Sequence, residues 1–545
     1  MKLSRRILLG LGIGATQLAL LERFGLNRAS AGPTTGGPTK LLSIWIPGGL
    51  NHEQVWGALS DAGIAKYIPA PAGGNQPYFY NAAMVQNYDG TTGDDGPYRK
   101  IRGPIWWNPK DPSMNDFKTG NPATNGAQAY VPWGYSWASK DLSTQAVYER
   151  AVMIHGIDQG TAAHGSGQIA ALSGVAAGDF RAPAIAAVVA NAMMTSFPDR
   201  VLPSVSVGGM LNPKALSTTS NPISGATSPI FLNSTASLAH TISDHPDSAW
   251  AGLRARHDID ELGFTGDPTG KKLSVTPMDA QSMKAVRTLK GISSTATDKL
   301  LEELHETYAG VSRTLARDVV NILAKTKGAE HLPAAIPWAP NSGKFGYFLG
   351  VADGGSSTAW DGDFDLTLRL LKSDLATSVT LRVPGAYNFS YDTHAPPSAN
   401  HHTNNLRGTF EVLGRLFLEM MLTPSTTQPG KSLLDETVVH IFSDFGRTFA
   451  APLGGTDHHP ATTMILLGGN VHGNRMIGGY DETTAGTPLG KPVDVINIEE
   501  GNTSTTSRVP RAADAAATVY RAFGLVAGKD FFIPGGYGEI KGALD

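Results

Sequence analysis

Several stretches of this chain are apolar without interruption and stop abruptly at glycine, Asp or His. Lys40 to Pro47 reads KLLSIWIP and ends in Gly48-Gly49-Leu50-Asn51-His52. Ala151 to Gly156 reads AVMIHG, Ser378 to Val383 SVTLRV, Glu436 to Ser443 ETVVHIFS and Thr462 to Leu467 TTMILL. A strand with one wet face alternates apolar and polar residues, whereas a strand buried on both faces is apolar throughout. These runs therefore imply a largely parallel sheet covered on both sides. In such a sheet the functional residues gather beyond the carboxyl ends of the strands.

Helical segments alternate with these strands. They are read at Gln168 to Ser173, Ala182 to Phe197 (opened by Pro183), Asp365 to Ala376, Asn404 to Leu422 and Ala512 to Phe523. Ser294 to Lys325 carries Leu300, Leu301, Leu304, Tyr308, Val311, Leu315 and Val319 at helical spacing and is expected to be a long helix. Pro203 to Val207 reads as a short strand. The pattern is that of an α/β fold, a largely parallel sheet flanked by helices. Residues 57–150 are rich in Gly, Pro, Asn, Trp and Tyr, and residues 210–345 begin with a Ser/Thr/Asn/Pro-rich tract. Both are read as insertions into one domain spanning 32–545. The aromatic residues of 57–150 are read as local core, with stacking on a glycan-like ligand as the alternative.

The amino terminus has the pattern of an export leader. Arg5-Arg6 precedes an apolar stretch from Ile7 to Leu21, and Ala29-Ser30-Ala31 is a small-residue cleavage site. Paired arginines ahead of a modest apolar stretch are read as a twin-arginine signal over residues 1–31. The mature chain is then expected to begin near Gly32 and to reside in the periplasm or outside the cell. No later segment is apolar enough for a membrane span of roughly 20 residues. The chain has no cysteine, which excludes a thiol nucleophile and thiolate metal sites. Its formal net charge is -3, so no basic surface argues for nucleic acid.

Seven of the fifteen histidines lie beyond residue 390. Three short segments there set Asp and His among turn-forming residues: Tyr391-Asp392-Thr393-His394, Ser443-Asp444-Phe445-Gly446-Arg447-Thr448 and Thr456-Asp457-His458-His459-Pro460. Carboxylate oxygens and imidazole nitrogens together form ligand sets suited to a divalent metal such as zinc, magnesium or manganese. Each segment adjoins a predicted strand, so the topology brings them to one place. Arg447 is suited to meet an anionic oxygen bidentately. His52 and His164 are candidates for proton transfer or for completing a metal shell. His155, within an apolar strand, is read as a core residue and Asp158 as a turn residue. His401, His402, His459 and His472 are read as surface or supporting groups.

In their order along the chain, the paired-arginine leader, the Gly-Gly-x-x-His strand end, the Tyr-Asp-Thr-His loop, the Ser-Asp-Phe-Gly-Arg-Thr turn and Gly-Thr-Asp-His before an apolar strand and Gly468-Gly469 resemble one group. It is the exported bacterial family labelled "domain of unknown function 1501", with the best match over 378–480. That family is similar in fold to the alkaline phosphatase/sulfatase superfamily. The resemblance implies that Asp392, His394, Asp444 and His458 hold metal. It also marks departures. Phe445 stands where a second-metal histidine is expected, and the first strand ends in Asn51 and His52 where an Asp is usual. His164, ten residues before Gly174, takes the place of the usual hydroxyl or thiol nucleophile.

Two functions follow as expectations. The first is an exported metal-dependent hydrolase of an anionic ester, phosphate or sulfate, in which His164 or His52 moves protons and Arg447 binds the oxyanion. The second is a non-catalytic periplasmic or surface binding protein that keeps the fold and has lost the nucleophile.

Overall fold

The computed structural model describes residues 36–50, 137, 143–175, 183–193, 196–197, 200, 202–208, 230–232, 358–383, 391–392, 394, 398–448, 457–478, 480–481, 491–492, 495–500, 504–526, 530–531, 533 and 536–545. The leader, the helix read over 294–325, most of both insertions and His52 lie outside these residues.

The elements, in chain order, begin with β1 (Lys40–Ile46), β2 (Ala151–Asp158), α1 (His164–Ser173), α2 (Ile185–Met193), β3 (Ser204–Val207) and β4 (Ile230–Leu232). They continue with α3 (Thr358–Lys372), β5 (Ser378–Arg382), α4 (Ser398–Leu422), β6 (Thr437–Ser443), β7 (Gly446–Arg447), β8 (His458–His459), β9 (Ala461–Gly468) and β10 (Arg475–Gly478). A two-residue ladder joins β11 (Tyr480–Asp481) to β12 (Lys491–Pro492). β13 (Val495–Glu500), β14 (Ser504–Arg508) and β15 (Gly538–Ile540) form a separate three-stranded sheet, with α5 (Ala512–Ala522) between the last two.

The main sheet has eight strands in the order β10-β2-β9-β6-β1-β5-β3-β4. Neighbours are parallel except where β9 is involved, which runs against both β2 and β6. The fold is thus α/β with a mixed, mostly parallel sheet. The reversal has a local cause. A parallel return needs a long crossover, usually a helix, whereas the segment after β6 folds back on itself by pairing β7 with β8. In consequence β9 brings its beginning to the edge where β6 ends, and Gly468-Gly469 lie at the opposite edge. β4 falls inside the span read as an insertion, yet it pairs with β3 and extends the sheet.

Alternate residues of the strands face opposite layers. Leu42, Ile44, Val379, Leu381, Val439 and Ile441 pack with Phe364, Leu368, Phe410 and Leu413 of α3 and α4. Leu41, Val152, Ile154, Val438 and Leu466 pack with Ile169, Val189 and Val519 of α1, α2 and α5. Each such buried side chain contributes roughly 1.5–3 kcal/mol, so burial on both faces explains the uninterrupted apolar runs. Trp137, within the aromatic-rich span, is fully buried against Phe410 and Phe417 and belongs to the main core.

Three helices begin earlier than their sequence suggests, α4 among them at Ser398. α3 continues through Gly362, because Phe364, Leu366, Leu368 and Leu370 are buried and their packing outweighs the glycine penalty of about 1 kcal/mol. α1 begins at His164, although Gly165 and Gly167 make its first turn read as loop.

Candidate functional site

β1 and β6 run side by side with Ile46 opposite Ser443, so the residues that follow them meet at one edge. Gly48 and Gly49 follow β1 with φ of 110° and 113°, a conformation that side chains disfavour. A Cβ on Gly48 would lie 2.8 Å from the Asp392 backbone nitrogen, and one on Gly49 2.7 Å from the Arg447 side chain. The close approach is used: Gly48 N–H donates to Asp444 Oδ1 (2.8 Å) and Gly49 N–H to Ser443 Oγ (3.0 Å), while Arg447 Nε donates to Gly48 O (2.5 Å).

Three other segments are drawn to this edge. Tyr391 is fully buried and its hydroxyl bonds Thr409 on α4, which anchors the loop carrying Asp392. The β7–β8 ladder sets Arg447 opposite His458. Thr448 N–H donates to Asp457 O (2.8 Å) and Asp457 N–H to Thr448 Oγ1 (2.6 Å). α1 approaches so closely that a Cβ on Gly167 would be 2.2 Å from Asp444 O, and this contact brings His164, the first residue of the helix, beside Asp444.

The side chains converge on Asp392. His394 Nε2 is 2.9 Å from Asp392 Oδ1, His458 Nε2 is 3.0 Å from the same oxygen, and the two nitrogens are 2.9 Å apart. Arg447 Nη2 also donates to Asp392 Oδ1. His164 Nε2 is 3.3 Å from Asp392 Oδ2, and His164 Nδ1 is 2.6 Å from Asp444 Oδ2. His394 Nδ1 is 3.3 Å from Asp457 Oδ1. The ligand atoms of His164, Asp392 and His458 all lie within 4.8 Å of one another. The Phe445 ring, fully buried, packs against the His164 and His458 rings at centroid distances of 4.7 and 4.1 Å.

Burial alone would push the Asp392 carboxyl up, but the hydrogen bond and charge of Arg447, aided by His458 and His394, hold it well below the usual carboxylate range. The hydrogen bond to Asp444 raises His164 above the ordinary imidazole value; burial opposes this, and the charges of Asp444 and Asp392 reinforce it.

The cluster fits a divalent ion on donor chemistry. His458 Nδ1 is 2.7 Å from the carbonyl oxygen of Ala162, which only accepts, so Nδ1 carries the hydrogen and in the neutral ring Nε2 presents a lone pair. That lone pair faces a carboxylate oxygen and a second imidazole nitrogen. Acceptors at this spacing need a cation or shared protons between them. Nitrogen and oxygen ligands about 2.0–2.2 Å from one ion lie roughly 3–3.5 Å apart, close to the spacing found.

Of the candidates named from sequence, the structure brings together Asp392, His394, Asp444, His458, His164 and Arg447. Arg447 is buried and already engaged with Gly48 and Asp392, so an anionic oxygen would meet it only by displacing those partners. His155 is buried in β2, with Nδ1 3.3 Å from Thr463 Oγ1, and Asp158 accepts from Gly160 N–H (2.8 Å) in a turn. His459 turns aside to accept from Ala461 N–H (3.2 Å), and His472 pairs with Asp545 (2.7 Å). The side chains of His401 and His402 are outside the described residues. Sequence reasoning passed over Ser443, Gly167 and Asp457 as parts of the site. Asp457 and Ser443 were signalled by their places beside His458 and Asp444; Gly167 carried no local signal.

The family model described as "Protein of unknown function (DUF1501)" matches residues 132–501. No curated protein matches the chain.

Proposed function

We propose that this chain, which belongs to the DUF1501 family, is an exported metal-dependent hydrolase of an anionic ester, phosphate or sulfate, with an alkaline-phosphatase-like arrangement around its sheet. The observation that carries the reading is the mutual approach of Asp392 Oδ1, His394 Nε2 and His458 Nε2 to 2.9–3.0 Å. These three residues would hold the ion, with His164, whose ligand atom lies within 4.8 Å of those of Asp392 and His458, beside them. The His164 and His394 side chains are 46% exposed, which leaves the cluster open to water and to a substrate. The anionic ester as substrate rests on the resemblance of the sequence motifs to those of phosphatases and sulfatases.

A divalent ion bound there supplies positive charge that polarises an ester oxygen and makes a nearby water more acidic. The chain's own residues do the rest. Arg447 keeps Asp392 ionised and fixed. Phe445 closes the floor beneath the imidazoles. His164 Nε2 takes a proton from the attacking water as that oxygen bonds to phosphorus or sulfur. It returns the proton to the ester oxygen whose bond breaks, so that an alcohol and inorganic phosphate or sulfate leave. With imidazole in the nucleophile's place, this is a direct water attack. The leader at residues 1–31 completes the proposal. N-terminal sequencing of exported protein should start near Gly32, and an intact Met1 would refute it.

One observation favours the non-catalytic reading: Arg447 already neutralises Asp392 without an ion. The two readings separate on protein purified without chelator, assayed for bound metal and against a panel of phosphate and sulfate monoesters. We expect a stoichiometric ion, turnover on a panel member, and metal affinity at least 10- to 100-fold weaker in His458→Ala. No ion after reloading with zinc, manganese or magnesium would remove the metal centre. Bound ion without turnover on any ester would remove the hydrolase.

A further inference from the structure

We propose that Asp444 is a positioning residue, whose carboxylate fixes the ring orientation and tautomer of His164 so that Nε2 turns its lone pair toward Asp392. The resemblance gives Asp444 a different place, as a metal ligand, whereas both of its oxygens are engaged within the protein. Oδ1 accepts from Gly48 N–H at 2.8 Å and lies 3.0 Å from Ser443 Oγ. Oδ2 is 2.6 Å from His164 Nδ1. The residue is 1% exposed, so no solvent-facing lone pair remains.

A carboxylate only accepts, so at this distance a hydrogen sits on His164 Nδ1, and in the neutral ring Nε2 is bare. Turning the ring over would set a carbon against a buried charged oxygen and forfeit a charge-assisted hydrogen bond. Phe445 packs on the imidazole from one side. Gly167 fixes the distance of α1 from the end of β6, because its hydrogen is all that separates the helix from Asp444 O. Nε2 is then left 3.3 Å from Asp392 Oδ2, the carboxylate oxygen not shared with His394 and His458. A carboxylate behind an imidazole that faces a reacting centre sets both its basicity and its aim.

The consequence for metal affinity and turnover rests on the function proposed above; the tautomer does not, and the experiment separates them. Full-length protein labelled with nitrogen-15 histidine, stripped of metal and held at a pH where the ring is uncharged, reports each tautomer by two-bond nitrogen–proton correlations. His164→Ala identifies the signal. The wild type should show His164 with hydrogen on Nδ1. In Asp444→Asn the carboxamide oxygen must still face Gly48 N–H, so its NH2 meets His164 Nδ1 and drives the hydrogen to Nε2. Zinc affinity, or turnover on any ester found, should fall about 10- to 100-fold with the unfolding temperature little changed. A wild-type His164 protonated on Nε2 overturns the proposal, even if the Asn variant fails to fold. So does an Asn variant with tautomer and zinc affinity both unchanged. A wild type that binds no zinc but shows the Nδ1–H tautomer would remove the proposed metal centre and leave the role of Asp444 standing.

Discussion

At the amino ends of β1 and β6, Lys40 and Glu436 form an ion pair with both side chains fully buried. Lys40 Nζ also meets Thr426 Oγ1 (2.7 Å) and Asp374 (3.0 Å), and Glu436 accepts from Ser425, Thr426 and Thr427. At the carboxyl ends of the same strands lie Asp444, Arg447 and Asp392, again charged groups gathered across the pair. The difference is saturation. Around Glu436 hydroxyls and an ammonium fill the carboxylate, which is fully buried. Around Asp392 three imidazole nitrogens face one carboxylate, and two of the rings are nearly half exposed. Burial of charge alone therefore does not mark a site. Imidazoles gathered on one carboxylate with a route to water do.

Removing the ammonium should have the largest effect. Lys40→Met leaves Glu436 buried without its cation and should cost about 3–5 kcal/mol of stability, read by urea unfolding, with zinc affinity per folded molecule unchanged. A loss below about 1 kcal/mol, or a shift in zinc affinity, would break the separation of the two ends. Gly167→Ala probes the site end more gently. The added methyl meets Asp444 O, α1 must shift, and stability should fall by about 1–3 kcal/mol, with the His164–Asp444 contact lengthened in a structure of the variant. An unshifted helix and an intact contact would show that Gly167 does not set the approach.

The smallest effect is one of pH, and its sign differs between the ends. Burial tends to raise Glu436, but the Lys40 charge and hydrogen bonds outweigh it and leave the pKa depressed. Its stabilisation is present above the unfolded value and lost as pH falls through the folded one. His164 is raised by Asp444, so its stabilisation is present below the unfolded value and lost as pH rises through the folded one. In metal-free protein, the unfolding-temperature gap between wild type and Glu436→Gln should shrink toward acid. The gap for His164→Gln should shrink toward alkali. Gaps of the same slope would refute the assigned partners.

The sequence by itself determined the layers. Uninterrupted apolar runs at Lys40, Ala151, Ser378, Glu436 and Thr462 can be satisfied only by helices on both faces, and the strands stand at those places. It also marked Asp392, His394, Asp444 and His458, because Asp and His recur there beside turn residues at strand ends, and the family resemblance added His164. Tertiary structure decided direction and contact. Nothing in TTMILL says that β9 runs backwards; the β7–β8 pairing fixes that, and with it the arrival of His458 at the edge where β6 ends. Nothing near Gly167 says that its missing side chain admits Asp444 O, for that fact belongs to two elements far apart in sequence. Composition and periodicity record how each segment meets solvent or core. Which lone pair faces which hydrogen depends on distances of a few tenths of an ångström, and packing sets those only once all the segments have met.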